Sequence, residues 1–173
     1  YDIIRQKLAR GETIILDGGT GTDIQRRGAA MSGDTWCADA NLTSPGIVRE
    51  VHLDYVACGA DIITANTFAT SPLLFSHIGR AADVNRIDAV AVELAREAAA
   101  GTRVCVAGSM STMRPMQTGS DRNNLAHEWP EAEARRLFQM KADGLKRAGV
   151  DLIMMEMMRD TDYAVWASEP ALA

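Results

Sequence analysis

The sequence predicts an α/β protein in which parallel β-strands alternate with α-helices, and three observations support this. Short runs of consecutive apolar residues, which are typical of strands buried on both faces, recur along the chain. Longer segments with apolar residues at helical spacing lie between them. The pattern also repeats: Gly-Ala-Asp-Ile-Ile at 59–63 and Gly-Val-Asp-Leu-Ile at 149–153 each join a helix end to a buried strand. This alternation is typical of a parallel sheet covered by helices.

Four apolar runs are predicted to form the strands, at residues 13–17, 61–65, 103–108 and 151–156. Each run is short and continuous in its apolar centre, and polar or glycine residues follow it. Strands of this kind are expected inside a sheet that is covered on both faces.

Helices are predicted at residues 3–9, 44–59, 83–99, 131–148 and 161–168. The second of these begins with Ser44 as the N-cap and Pro45 at the first helical position. Gly59 and Gly149 each end a helix directly before a strand. Four successive βα units therefore follow the first short helix.

The polar residues that follow the strands distinguish an open doubly wound sheet from a (β/α)8 barrel. Asp17, Asn66 with Thr67, Ser109 and Glu156 fall at the carboxyl ends of different strands. In a barrel the carboxyl ends of all strands converge on one site. In an open sheet only the strands beside the switch point contribute. We therefore predict the TIM-barrel fold, with only the first four βα units present in this chain.

The length of the chain accounts for half of such a barrel. A complete barrel needs eight strands and about 250 residues, whereas the chain has 173. Half a barrel leaves two open strand edges and an exposed inner face. We therefore expect residues 1–173 to be the N-terminal part of a single barrel domain. The second half would come from a longer chain or from another half-barrel, such as a second copy in a homo-oligomer.

Composition excludes several classes of protein. The net charge is −5 and no basic cluster is longer than Arg26-Arg27, which argues against nucleic-acid binding. The apolar runs are too short to span a membrane, and residues 1–10 lack the centre of a signal peptide. We therefore expect a cytoplasmic protein. Cys37, Cys58 and Cys105 are too widely spaced to indicate a disulfide framework or a self-contained zinc site.

The loop Asp-Gly-Gly-Thr-Gly-Thr at 17–22, after the first predicted strand, is the leading candidate for a ligand site. Its glycines allow close approach of the backbone, and successive N–H groups can hold an anion. Asp17 could hold an ammonium group. The loop matches neither a Walker A sequence nor a dinucleotide-binding fingerprint. The alternative is a tight strand-to-helix turn in which Asp17 acts as a cap.

Glu156 ends the fourth apolar run, where a buried carboxylate without a partner is costly. A ligand ammonium would relieve this cost, and so would a salt bridge to Arg114 or Arg159. We favour the ligand, because the carboxylate of the first loop should lie at the same end of the barrel. Asn66 and Thr67 offer an amide and a hydroxyl to a ligand, or they form an ordinary turn.

Together these segments resemble the homocysteine S-methyltransferase family in order and spacing across nearly the whole chain. The matching segments are Leu-Asp-Gly-Gly-Thr-Gly-Thr at 16–22 with Gln-Arg-Arg-Gly at 25–28, Val-His-Leu-Asp-Tyr at 51–55, Gly-Ala-Asp-Ile-Ile-Thr at 59–64 with Asn-Thr-Phe at 66–68, Ala-Gly-Ser at 107–109, and Ala-Gly-Val-Asp-Leu-Ile at 148–153 with Glu156. The resemblance implies a (β/α)8 barrel that transfers a methyl group to the thiol of homocysteine and forms methionine.

The same resemblance implies how the substrate is held. Asp17 and Glu156 would bind its amino group, and the N–H groups from Gly18 to Thr20 would bind its carboxylate. The full set of predicted substrate-binding residues is Asp17, Gly18, Gly19, Thr20, Asn66, Thr67, Ser109 and Glu156. The second substrate would be a small methyl donor, and relatives use S-methylmethionine, S-adenosylmethionine, betaine or a folate–cobalamin system.

The family resemblance also implies a zinc ion, held by three cysteines from the later strands. Zinc makes the homocysteine sulfur a thiolate at neutral pH. Cys37, Cys58 and Cys105 do not match those positions. No catalytic or metal-ligating residue is therefore predicted in this segment. We expect the 173-residue chain alone neither to bind catalytic zinc nor to methylate homocysteine.

Two other hypotheses fit the same strand ends. One is a different TIM-barrel enzyme, of the lyase or aldolase type, that acts on another small acid. The other is a non-catalytic half-barrel that assembles with a copy of itself and only binds amino acids.

Overall fold

The computed structural model of the protein describes residues 2–117, 124 and 126–173. It confirms an α/β architecture with a parallel sheet. The three strands of the described residues are β1 (Ile62–Ala65), β2 (Cys105–Ser111) and β3 (Leu152–Glu156), in the spatial order β1-β2-β3. Both neighbouring pairs are parallel, as expected for strands joined by helical crossovers.

The predicted strand at residues 13–17 is not confirmed as a strand. It forms one isolated parallel bridge, between Leu16 and Ile62. The N–H of Asp17 donates to the carbonyl of Ile62 at 3.0 Å. An apolar run becomes a strand only where a ladder of pairs forms, and this segment pairs with β1 at a single point. Three strands, rather than the four βα units that we predicted, are therefore present among the described residues.

The described part of the chain contains eight helices. They are α1 (Asp2–Ala9), α2 (Thr20–Arg26), α3 (Ala40–Thr43), α4 (Pro45–Ala57), α5 (Pro72–His77), α6 (Val84–Ala99), α7 (Glu131–Ala148) and α8 (Thr161–Leu172), with a 3-10 turn at Ala81–Asp83. The predicted helices correspond to α1, α4, α6, α7 and α8. Sequence patterns did not predict α2, α3 and α5, because helices this short show too little apolar periodicity. No helix in the described ranges is long and apolar enough to cross a membrane.

The helix ends follow the predicted signals with one exception. Gly149 caps α7 in the left-handed conformation, with φ of 89°, and Gly59 follows α4 with φ of 92°. Both values are costly for a residue with a side chain. Pro45 begins α4 as predicted, but the side chain of Ser44 makes no capping hydrogen bond.

The main core lies between the sheet and helices α6 and α7. Ile63 and Val106 of the strands are fully buried against Ala95 and Leu145 of these helices. A Cβ atom at Gly108 would lie 2.9 Å from a Cδ atom of Leu145, so glycine allows α7 to approach β2 closely. This packing fixes the direction of the strands and hence the position of their carboxyl ends.

The aspartate of the first repeated turn stabilises the amino end of β1. One carboxylate oxygen of Asp61 accepts a hydrogen bond from the N–H of Ile15 at 3.0 Å. The other lies 2.5 Å from the ammonium of Lys7 in α1. The hydrogen bond from Lys7 lowers the pKa of Asp61.

The aspartate of the second repeated turn has the same role one crossover later. Asp151 accepts a hydrogen bond from the N–H of Val106 at 2.7 Å, and Arg96 of α6 lies 2.9 Å from the same oxygen. The internal sequence repeat therefore marks a repeated turn that joins neighbouring chain segments at the amino ends of the strands.

Candidate functional site

A cavity of ≈ 290 Å³ lies at the carboxyl ends of the strands. This is the end at which the sequence predicts a ligand site, and its size suits a small molecule. Most of the predicted binding residues line it, namely Asp17, Gly18, Gly19, Thr20, Asn66 and Glu156. The two others, Thr67 and Ser109, are fully buried behind its wall.

Asp17 is held in a fixed orientation by β1. One of its carboxylate oxygens accepts a hydrogen bond from the N–H of Thr64 at 2.6 Å, and the other accepts one from the Thr64 hydroxyl at 2.9 Å. Burial raises the pKa of Asp17, the bonds from Thr64 oppose this shift, and the negative charge of Glu156 adds to it. Thr64 therefore holds the carboxylate in one orientation in the cavity, but its hydrogen bonds only partly offset the cost of the buried negative charge.

Glu156 is the last residue of β3 and the second acidic group of the cavity. Its carboxylate accepts a hydrogen bond from the hydroxyl of Ser109 in β2. Arg114, one of the two predicted alternative partners, instead pairs with Asp160 at 2.5 Å. Within the described ranges, neither Glu156 nor Asp17 forms an ion pair with a lysine, arginine or histidine. Two carboxylates without a cation in one cavity are suited to bind a cationic ligand.

Two glycines of the first loop, Gly18 and Gly21, lie where a Cβ atom would come too close to a neighbouring side chain. A Cβ atom at Gly18 would lie 2.9 Å from the hydroxyl oxygen of Tyr55. At Gly21 it would lie 2.7 Å from the ring of Trp36 and 2.8 Å from the sulfur of Cys37. Helix α2 can therefore begin directly against the wall of the cavity.

Helix α2 begins within the predicted anion-binding loop. The loop is thus the start of a helix, where the first N–H groups have no partner inside the helix. The N–H of Thr20 is an exception, because it donates to the carbonyl of Gly18 at 2.9 Å. This N–H group, which the family resemblance assigned to the substrate carboxylate, is already used within the loop.

Asn66 uses its side chain to fasten the wall of the cavity. Its amide donates to the carbonyl of Cys37 and to the side-chain oxygen of Asn41, both at 3.0 Å, and accepts from the Cys37 thiol at 3.1 Å. Asn41 in turn donates to the carbonyl of Asn66 at 2.9 Å. Burial raises the pKa of Cys37 to about 12, so its thiol stays protonated and is a poor nucleophile at neutral pH.

Sequence analysis did not identify the aromatic wall of the cavity. Trp36 and Phe68 line it in an edge-to-face arrangement, with ring centroids 6.3 Å apart. Trp36 and Met157, which also lines the cavity, have φ of 45° and 53°. Such values are uncommon for residues other than glycine and occur at functional sites. No motif in the sequence marks Trp36, whereas Met157 directly follows the predicted Glu156.

The described residues of this chain do not fit the zinc site that the family resemblance implies. The three cysteines lie apart: Cys37 is buried at the cavity, Cys58 is exposed after α4, and Cys105 is buried at the start of β2. In the part of the chain that the structure describes, no group of three or more His, Cys, Asp or Glu side chains is arranged to hold a metal ion.

The chain resembles known proteins over nearly its whole length. The S-methylmethionine–homocysteine S-methyltransferase BHMT2 of Rattus norvegicus is 26% identical over 167 residues, which cover 96% of this chain and 42% of that protein. The betaine–homocysteine S-methyltransferase 1 of Xenopus laevis is 27% identical over 168 residues, which cover 95% of this chain and 39% of that protein. The chain thus spans less than half the length of these curated relatives.

A solved structure has a similar fold. The metallated form of the homocysteine methyltransferase MmuM from Escherichia coli superposes with a TM-score of 0.74 at 25% identity, covering 94% of this chain and 60% of that one. The family model described as homocysteine S-methyltransferase matches residues 14–173, which include the first loop and Glu156. The chain therefore belongs to the homocysteine S-methyltransferase family.

Proposed function

We propose that the protein is a methyltransferase that transfers a methyl group to the thiol of homocysteine, and that this chain provides the part of the site that binds the amino acid. One observation carries the proposal: Asp17 and Glu156 line the same cavity with no cationic partner among the described residues. The family and the names of the relatives support homocysteine as the substrate.

The two carboxylates would bind the ammonium group of homocysteine. Thr64 holds Asp17 from β1 and Ser109 holds Glu156 from β2, so both acidic groups are oriented before the ligand arrives. A cation between them would lower the pKa of Asp17 again, since it would offset the negative charge of Glu156. Preorganisation of this kind lowers the entropic cost of binding.

The start of α2 would face the substrate carboxylate. Gly18, Gly19 and Gly21 line the cavity at this point, and the amino end of a helix favours a negative group. The amino acid would then lie with its ammonium between the two acids and its carboxylate at the glycine loop. The chain's contribution would be binding and orientation, because the ligands of the zinc are expected in the later strands of the complete protein.

We further propose that the chain is the first half of a (β/α)8 barrel, completed by residues outside it. All five residues of β3 are half-buried, unlike the fully buried β2. Ile15 and Leu16 are about half exposed, at 50% and 48%. A second half that adds strands beside β3 and the segment containing Leu16 would cover these apolar surfaces.

The test is methionine formation by the full-length protein that contains this chain. It is incubated with homocysteine and, in turn, with S-methylmethionine, S-adenosylmethionine, betaine and a folate–cobalamin system. We expect methionine with at least one donor, and we expect Glu156→Gln to raise KM for homocysteine. As a control, Glu93→Gln makes the same change at an exposed site on α6 and should leave KM unchanged. If wild-type protein forms no methionine with any donor, or if Glu156→Gln leaves KM unchanged, the proposal fails.

A further inference from the structure

A fully buried ion pair lies outside the cavity and has no place in the function proposed above. Asp88 of α6 and Lys141 of α7 have no exposed surface. The ammonium nitrogen lies 2.9 and 2.8 Å from the two carboxylate oxygens. Buried charges have a large desolvation cost. A protein in which apolar residues of similar volume replace a buried ion pair is often at least as stable. The contacts of the pair suggest a reason for its presence.

Lys141 also binds the loop that follows β1. Its ammonium donates to the carbonyls of Thr67 and Thr70, at 3.0 and 3.2 Å, and to the hydroxyl of Thr70 at 2.7 Å. The hydroxyl of Thr70 donates to Asp88 in turn. The pair therefore fixes residues 67–70 from the side of α6 and α7, away from the cavity.

Thr67 connects this loop to β2. Its hydroxyl accepts a hydrogen bond from the N–H of Ser109 at 2.7 Å and donates to the carbonyl of the same residue at 3.0 Å. The side chain of Ser109 then donates to Glu156. The buried pair is thus connected to an acid of the cavity by hydrogen bonds that meet at two residues. Thr67 is bound through its backbone by Lys141 and through its hydroxyl by Ser109. Ser109 is bound through its backbone by Thr67 and through its hydroxyl by Glu156.

We propose that Thr67 and the Asp88–Lys141 pair are positioning residues that hold Ser109, and through it Glu156, in the orientation that binds the substrate's amino group. Thr67 and Ser109 would thus act behind the substrate rather than in contact with it. This inference rests on the proposed function, since it assumes that Glu156 binds the ammonium of homocysteine.

The first test removes one hydroxyl in the full-length protein. Thr67→Val keeps the shape of the side chain but loses both hydrogen bonds to Ser109. We expect KM for homocysteine to rise about tenfold, with kcat within about twofold, because a displaced Ser109 would weaken the one hydrogen bond that orients the charged Glu156. Thr67→Ser retains the hydroxyl and should restore KM. Thr102→Val is the matched control, because the Thr102 hydroxyl also donates to a carbonyl, that of Ala99, and accepts from an N–H, that of Val104, but it does so before β2 begins.

A double-mutant cycle shows whether Thr67 acts through Glu156. In a Glu156→Gln background, Thr67→Val should change KM by less than about twofold, because the two changes remove one shared interaction. If Thr67→Val raises KM by the same factor in the Glu156→Gln background as in the wild type, the proposal is wrong. If Glu156→Gln alone leaves KM unchanged, the proposed function fails together with this inference. If Glu156→Gln raises KM and Thr67→Val does not, only this inference fails.

The second test replaces the buried pair as a unit. The double variant Asp88→Leu/Lys141→Met removes both charges, so no uncompensated buried charge remains. Thermal unfolding checks that the variant is folded. We expect a folded protein whose KM for homocysteine rises severalfold while kcat changes little. A folded double variant with wild-type KM would show that the pair only stabilises the fold. If the double variant does not fold, Thr67→Val with its serine rescue and the double-mutant cycle decide the proposal.

Discussion

The two ends of the sheet use acidic residues in opposite ways. At the amino ends, Asp61 and Asp151 each accept a hydrogen bond from a backbone N–H and pair with a basic side chain. At the carboxyl ends, Asp17 and Glu156 also accept hydrogen bonds, but from neutral partners. The negative charges at the amino end are thus balanced by basic side chains, whereas the two at the carboxyl end have no cationic partner among the described residues.

The pKa shifts follow this difference. The hydrogen bond from Lys7 lowers the pKa of Asp61, while burial raises the pKa of Asp17. At neutral pH Asp61 therefore stabilises the fold, whereas Asp17 slightly reduces its stability in the absence of a ligand. The same division between a stabilising and a functional end is general in parallel α/β proteins.

Neutralising an acid should have its largest effect at the carboxyl end. In the full-length protein, Asp17→Asn and Glu156→Gln should each lower kcat/KM for homocysteine by at least about 30-fold, since each removes one partner of a buried charge interaction. Asp61→Asn at the amino end should lower it by less than about threefold. Steady-state kinetics at pH 7.5 checks this. Equal losses at both ends would contradict the division.

The next largest effect is expected from a change in the close packing around the cavity, at the carboxyl ends of the strands. Gly21→Ala would force a methyl group against Trp36 and Cys37, and we expect the free energy of unfolding to fall by about 1–3 kcal/mol. Gly46→Ala, in the first turn of α4, is the matched control because nothing lies within 4 Å of the added atom. Urea denaturation should show a loss only for Gly21→Ala.

At the amino end of the sheet, loss of an acidic group should lower the stability of the fold, and the size of this loss should depend on pH. Asp61→Asn should lower the free energy of unfolding by about 1 kcal/mol at pH 7, as expected for a partly exposed ion pair with one further hydrogen bond. Because folding lowers the pKa of Asp61, this contribution is present above the ordinary aspartate pKa of about 3.9 and is lost as the pH falls through the lower, folded value.

Urea denaturation between pH 3 and pH 7 measures this contribution. Asp54→Asn is the control, since Asp54 forms a more exposed ion pair with Arg27. It should cost less than about 0.5 kcal/mol. If the difference in the free energy of unfolding between wild type and Asp61→Asn increases as the pH falls, the prediction is wrong.

The smallest effect is the opposite pH dependence at Asp17. Since folding raises its pKa, the contribution of Asp17 to stability is present below the unfolded pKa and is lost as the pH rises through the folded one. In the absence of ligand, Asp17→Asn should therefore gain stability relative to wild type between pH 4 and pH 7. Parallel urea titrations of the two proteins would show this, and a relative loss over that range would contradict it.

Local patterns predicted most of the architecture. Helical spacing and glycine stops predicted α4, α6 and α7, because these signals lie within one segment. The run at residues 13–17 was equally apolar, yet it forms one bridge. A strand depends on its neighbours as much as on its own residues, and the sequence of the segment does not contain that information.

The site was predicted in part, for a related reason. Parallel strands bring their carboxyl ends to one edge, so the sequence alone indicated that Asp17 and Glu156 converge. Which polar residues reach the cavity was not predictable. The sequence placed both Thr67 and Ser109 after strands. In the structure Ser109 lies within β2, and the hydrogen bonds between the two residues, 42 positions apart, keep them behind the wall.

By itself, then, the sequence determined the family, the order of the five longer helices and the three strands, and the acidic edge of the sheet, because apolar spacing and glycine turns act locally. Only the tertiary structure decided how each polar group is used. Asp61 and Asp17 are the same residue type at opposite ends of neighbouring segments, yet Lys7 reaches only the first. Charge compensation depends on contacts between distant segments, and packing alone determines those contacts.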